Sequence, residues 1–349
     1  MSIVLISDGA LERAGCGRLA ETLQQRNRPC LTVGPALLSL QPLSGMETEV
    51  LIDPLQLLGH PLLEQASAIG LFLQKPQDVR GFVRAYRAIC RNSGRPAAPV
   101  FSGPLIPLVG DALVQDLIER CCCDLLLVSG DVQLKQVQAM TFNWGKHHPW
   151  PDTIATGFWF DSKQSGPASP QRMLLALIQE SVPTYPGATD QLLRQLRNWA
   201  QKNPSWTVVL QRDHAWRTDR PLININGRTP LPANLVSAAP GQMLPLLGRC
   251  TACLTVSSPW IYAAMAWGSI PLIVADYGIH GRQGTTGFFG SGTMHHLRSV
   301  RQLDDLLNLP GVNQTWLDSM GGAISNGTDR LLNALDKLSK PNNRESGAS

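Results

Sequence analysis

No stretch of eighteen apolar residues occurs in the 349-residue sequence, so no segment reads as a bilayer-spanning helix. Charge is scarce: charged residues make up 16% of the chain and the formal net charge is only +4. Neither a basic run nor an RNA-type pattern of basic and aromatic residues is present, which argues against a nucleic-acid partner. A Gly-Lys-Ser/Thr phosphate loop is missing. Gly15-Cys16-Gly17 completes no G-x-G-x-x-G fingerprint, because it falls inside a helical stretch. The start of the chain reaches Asp8 too soon for a signal peptide and lacks a basic opening, so a cytoplasmic protein is expected.

Cysteine is present but not as a framework. The eight cysteines include three in a row, Cys121-Cys122-Cys123, and most lie in apolar segments. Cys250 and Cys253 have the C-x-x-C spacing, yet no second ligand pair accompanies them. Buried free thiols in a reducing compartment are the reading that follows. His147-His148 and His295-His296 are adjacent pairs whose side chains project in different directions, so no metal site is expected.

What the sequence does have is a repeated alternation. Apolar runs at 3–6, 30–33, 49–52, 68–73, 100–102, 125–129 and 154–157 read as strands, with helical spacers at 11–26, 77–92 and 110–120. That order predicts a parallel sheet covered on both faces. Residues 162–170 are polar with Gly, Ser and Pro and read as a linker. The pattern then resumes. Helices are expected at 171–179, 190–202, 241–248, 304–309 and 328–338, and strands at 207–210, 222–225 and 235–238. In 190–202, Leu192, Leu193, Leu196, Trp199 and Ala200 share one side. The expected division is 1–165, 166–340 and a frayed tail 341–349. The fold class is α/β, with two Rossmann-like, doubly wound domains facing a cleft. Ligands in such sheets bind beyond the carboxyl ends of strands, which points to Ser7-Asp8-Gly9 in the first half and to Ser257-Ser258 and Asp276 in the second.

Residues 253–294 carry the strongest signal. An apolar run ends in Ser257-Ser258-Pro259, a small-residue segment leads to Gly268, and a second apolar run opens at Asp276 into a glycine-rich loop. Ser258 is suited to cap a helix whose first residue is Pro259. A strand feeding such a helix start presents N–H groups and the positive end of a dipole to a phosphate. Gly278, Gly281, Gly284, Gly287, Gly290 and Gly292 share the following loop with Phe288 and Phe289. That loop reads as a close approach to a ligand, a lid, or a mobile surface connection.

These residues resemble a GT-B glycosyltransferase, and more narrowly an uncharacterised family of bacterial glycosyltransferases. The likeness rests on 99–111 before 120–129, Thr156-Gly157, Asn203-Pro204 with 208–214, 254–275 and 288–292. A wider similarity is to bacterial sialyl- and polysialyltransferases that use CMP-activated acidic sugars. Ser7-Asp8-Gly9 resembles their acidic-acidic-Gly motif with Ser7 in place of an acid. Asp213-His214-Ala215 keeps the histidine of their His-Pro motif but not the proline, and Ser257-Ser258 matches their Ser-Ser/Thr motif. The resemblance implies a nucleotide-sugar donor, CMP-linked by preference with UDP and GDP open, and a polysaccharide or glycolipid acceptor. It implies no cofactor beyond that donor.

Glycosyl transfer needs a base for the acceptor hydroxyl and donors for the departing phosphate. Asp8 is the candidate base of an inverting displacement, or else the cap of the helix that follows. Arg212 and His214 are candidates for the phosphate and the nucleotide, or else members of an exposed loop with Arg217 and Arg220. Ser257 and Ser258 are candidates for the phosphate. Asp276 either binds ribose hydroxyls or holds its own loop, and Gly278 lets the backbone approach the ligand. The segment 260–267 has no acidic residue, unlike many retaining GT-B enzymes. A nucleotide-sugar 2-epimerase-like isomerase and a non-catalytic GT-B-like binding protein are the alternatives. The basic amphipathic stretch 80–91 is suited to peripheral contact with the inner membrane face, or to a solvated surface.

Overall fold

Alternate residues along the first strand point to opposite sides of a sheet, and both sides are buried. In a computed structural model, which describes residues 2–35, 49–142, 150–159, 172–212, 231–239 and 242–339, Val4 and Ile6 join one apolar cluster and Ile3 and Leu5 another. A strand buried on both faces is what a parallel, helix-covered sheet requires.

The strands of the first sheet are β1 Ser2–Ser7, β2 Cys30–Gly34, β3 Glu49–Leu51, β4 Ala66–Phe72, β5 Val100–Ser102, β6 Leu125–Val128 and β7 Asp152–Ala155. Those of the second are β8 Met173–Ile178, β9 Thr207–Arg212, β10 Leu235–Ser237, β11 Ala252–Thr255, β12 Ile270–Val274 and β13 Met294–His295. The α-helices are α1 Ala10–Gln24, α2 Pro61–Glu64, α3 Pro76–Asn92, α4 Asp111–Arg120, α5 Asp131–Phe142, α6 Ala188–Lys202, α7 Met243–Leu247, α8 Ile261–Ala266, α9 Gln314–Leu317 and α10 Gly327–Leu338. All pairings described are parallel, in the orders β3-β2-β1-β4-β5-β6-β7 and β10-β9-β8-β11-β12-β13.

One face of the first sheet packs against Val79, Phe82 and Val83 of α3 and Leu113 and Leu117 of α4. The other packs against Cys16, Leu19 and Leu23 of α1 and Leu331 and Leu335 of α10. The last helix thus covers the first sheet. The compact units are residues 1–159 with 318–349, and 160–317. This corrects the division expected from sequence, which left 318–340 in the second half. The physical reason is the apolar stripe of α10, whose partners lie on α1 and β7. Gly327 opens that helix where a Cβ would lie 1.8 Å from the Thr156 carbonyl oxygen, so only glycine allows the approach. Thr328 donates to Thr22 at 2.8 Å, and Arg26 pairs with Asp329.

In the second unit, α6 buries all five residues expected to share its apolar side. They pack on Leu174, Ala176 and Ile178 of β8. Here lies the largest correction: 171–179, expected as helix, contains the central strand β8. Met173–Ile178 is a short run buried at all six positions, and periodicity cannot tell such a strand from a buried helix. Helix α5 and strand β13 were not anticipated. The expected linker 162–170 and strand 222–225 lie outside the described residues. All eight cysteines are free, six of them buried. Among the described residues, no helix is long and apolar enough to cross a membrane.

Candidate functional site

The strand orders fix where a ligand can enter each sheet. From β1 the chain runs outward to β3, then returns to β4 beside β1 and continues the other way. Helix α1 therefore leaves on one face and α3 on the other, which opens a crevice at the carboxyl ends of β1 and β4. The second sheet repeats this at β8 and β11, with α6 on the face of Leu174 and Ile178 and α8 packed on β11 and β12.

At the first switch point stands Asp8, half-buried and directly after β1. Its Oδ1 accepts from the Gln74 backbone N–H at 2.8 Å, just beyond β4, and the Gln74 side chain donates to the Asp8 carbonyl at 3.3 Å. Burial pushes the Asp8 carboxyl above its ordinary value, the Gln74 N–H opposes that, and the Asp78 charge adds to it. Asp8 is not the helix cap: Gly9 occupies that position, with no side-chain capping bond. Gly9 is tightly enclosed, since a Cβ there would meet Glu12 Oε2 at 2.1 Å and Gln74 Nε2 at 2.3 Å.

At the second switch point stands Ser257, half-buried beyond β11. Its backbone N–H and its hydroxyl both donate to Gln179 Oε1, at 3.1 and 3.2 Å, from just beyond β8. The N–H can only donate, so it fixes which end of the Gln179 amide faces the serine. The hydroxyl proton is thereby committed to Gln179. Ser258 is fully buried and its Oγ has no hydrogen-bond partner among the described residues. Its N–H donates to Thr255 Oγ1 at 2.9 Å. A sealed hydroxyl cannot touch a ligand, so the pair expected from sequence reduces to Ser257. The helix start is corrected too. Trp260, not Ser258, is the N-cap of the six-residue α8, and Ser258 contributes its carbonyl to the Ile261 N–H at 3.2 Å.

The glycine-rich loop closes on this serine. Gly284 has φ +71°, and a Cβ there would lie 2.9 Å from Ser257 Oγ. The loop is internally bonded: Thr285 Oγ1 donates to the Gly278 carbonyl at 2.9 Å and accepts from the His280 N–H at 3.0 Å. Gln283, fully buried, ties it to the segment after β8 by accepting from the Thr184 N–H at 3.1 Å and donating to its hydroxyl at 3.0 Å. Tyr185 and His280 meet edge to face beside it, with 6.4 Å between ring centres.

The other sequence candidates fall as follows. Asp276, after β12, accepts from the Leu297 N–H at 2.7 Å and lies 3.7 Å from His296 Nδ1. It braces the segment after β13 rather than its own loop. Gly278 is exposed at φ +83° in the loop just described. Arg212 ends β9 half-buried, in register with Ile178 of β8. His214 lies outside the described residues. Gln74, Gln179, Gln283 and the Tyr185–His280 pair were missed. The only sequence signal for the first two is a glutamine one or two places beyond an apolar run. Among the described residues, no three His, Cys, Asp or Glu side chains group closely enough to hold a metal ion.

Among solved structures, the chain is similar to UDP-GlcNAc 2-epimerase from Neisseria meningitidis bound to UDP-GlcNAc, with TM-score 0.59 and 11% identity over 97% of this chain and 100% of that one. It is similar to the Methanocaldococcus jannaschii UDP-GlcNAc 2-epimerase in complex with UDP-GlcNAc and UDP, with TM-score 0.57 and 9% identity over 97% and 100%. The calicheamicin glycosyltransferase CalG4 gives TM-score 0.52 and 15% identity over 97% and 100%. At such identities these likenesses establish the fold, which is GT-B-like. No curated protein matches the chain in sequence. The profile of one family matches residues 81–338, and the chain belongs to that family, described as "Putative glycosyltransferase (DUF6716)".

Proposed function

We propose that this glycosyltransferase moves a sugar from a nucleotide-sugar to a hydroxyl of a glycan or glycolipid, with inversion. Asp8 takes the acceptor proton as the acceptor oxygen bonds to the anomeric carbon and the bond to the donor phosphate breaks. The second unit holds the nucleotide phosphate where Ser257 and the glycine-rich loop converge, with Arg212 and His214 as its cationic partners. The reaction needs neither a metal nor a cofactor beyond the donor. One observation carries the reading: a half-buried carboxylate at the first switch point, raised above its ordinary value by burial, in a chain of this family.

Support for the donor class comes from two directions. Similar folds have been seen with UDP and UDP-GlcNAc, whereas the acidic-Gly and Ser-Ser resemblances favour a CMP-linked sugar. The epimerase alternative calls for carboxylates on both sides of the sugar; in the second unit Asp276, beyond β12, is occupied with Leu297 and His296.

The test is donor turnover with CMP-, UDP- and GDP-sugars, with and without EDTA. Slow hydrolysis of one donor class, insensitive to EDTA, lost in Asp8→Ala and kept in the exposed control Asp111→Ala, is the expected result. Reversible epimer formation would mark an isomerase, and binding without turnover a non-catalytic protein; either overturns the proposal.

A further inference from the structure

The peptide group between Leu73 and Gln74 is engaged at both ends. Its N–H donates to Asp8 Oδ1 at 2.8 Å, and its carbonyl accepts from Arg120 Nη2 at 3.1 Å. Arg120 is 4% exposed at the end of α4. Two more of its donors go to buried groups: Nε to Asp116 Oδ2 at 2.8 Å, and Nη1 to Ser102 Oγ at 2.8 Å. Ser102 in turn donates to the Leu71 carbonyl. One guanidinium therefore grips the carboxyl ends of β4 and β5 and one peptide beyond β4. A planar fork with five donors can do this, and a lysine ammonium cannot.

We propose that Arg120 is a positioning residue for Asp8, acting through the 73–74 peptide. This rests on the reading of Asp8 as the base. The guanidinium polarises the carbonyl, which strengthens the N–H on the other side of the same amide, and that N–H fixes the direction of the carboxylate. Arg120 also sets its charge against the other groups that face Asp8. Asp78 of α3 opposes ionisation, and Glu12 of α1 stands over the adjoining Gly9. The Arg120 charge favours ionisation, with Asp116 of α4 as its counterion. The arrangement gives a carboxylate that is partly desolvated, held at a raised pKa against the Arg120 charge, and aimed by the Gln74 N–H.

The experiment is a carbon-detected NMR titration of aspartate side chains in the full-length protein, with Asp8 assigned through Asp8→Asn. Arg120→Met should move the Asp8 midpoint up, since it removes a charge that favours the ionised form, and shift the Gln74 amide resonance. Arg120→Lys keeps the charge but not the fork, so it should restore most of the midpoint and little of the amide shift. Should Arg120→Met fail to fold, Arg120→Lys together with Ser102→Ala still displaces the Gln74 amide resonance if the relay exists. Folded variants in which both the Asp8 midpoint and the Gln74 amide stay at their wild-type values overturn the proposal. These readouts do not involve turnover. If they move as expected while Asp8→Ala retains activity, the base assignment fails and the relay stands.

Discussion

Asp8 shows how one residue's environment sets its charge against stability. Its carboxyl is raised above the ordinary value by burial. The native state then keeps the proton to a higher pH than the unfolded chain does. Stability is lost as pH rises from the unfolded pKa through the folded one, and stays lower above both. Asparagine cannot ionise but can still accept from the Gln74 N–H. Asp8→Asn should therefore melt above the wild type at about pH 7, and the gap should close as the pH falls below about 4, where both forms are neutral. Thermal unfolding followed across that range checks it; equal melting temperatures throughout would mean that Asp8 is not strained by its site. Ser257 makes a different case. Its hydroxyl proton belongs to Gln179, so a phosphate oxygen there must draw that proton away. Gly284→Ala probes the same place without touching the serine. The left-handed backbone costs about 1–2 kcal/mol for a residue with a Cβ, and the new methyl would press on Ser257 Oγ. About a tenfold loss of nucleotide affinity by calorimetry is the expectation. Unchanged affinity would place the phosphate elsewhere.

At the scale of elements, what was legible followed from local periodicity and what was hidden depended on pairing. Helix α6 was plain because its apolar stripe recurs at helical spacing against a polar remainder. Strand β8 was not, because a strand at the centre of a doubly covered sheet has no polar side to alternate with. That single misreading also hid Gln179, whose position beyond β8 gives it meaning. Asp8 could be found because it ends an apolar run at the head of the chain. Gln74 could not, since its bond to Asp8 spans two strands that become neighbours only when the sheet forms. The hydroxyl pair was recognised, but burial divides it. Whether an N–H turns towards Thr255 Oγ1 or towards a ligand is decided in three dimensions. The expected cap at Ser258 failed for a related reason: Pro259 can open a helix, yet the α-helical bonding starts only with Ile261.

At the scale of the molecule, the two sheets repeat one winding with different residues. Each carries a central strand, a switch point and a glutamine beside it. The chain order does not respect the units, however. Helix α10 comes last and completes the first sheet, with Leu331 and Leu335 buried against Leu19 and Leu23 of α1. Burying a leucine contributes about 1.5–3 kcal/mol, a large part of the margin by which a domain is stable. The ion pairs of Arg26 with Asp329 and Arg28 with Asp336 lie at the surface and add little beside it. Ending the chain at Asn326 should therefore expose the face of Ile3 and Leu5, far away in sequence. Hydrogen exchange followed by mass spectrometry should show β1 and α1 exchanging faster, while β8 and α6 keep their protection because their own core, built on Leu174 and Trp199, is intact. Equal loss of protection in both sheets would mean that the units unfold as one. No change in β1 would mean that α10 is a passive covering and not a structural part of the first sheet.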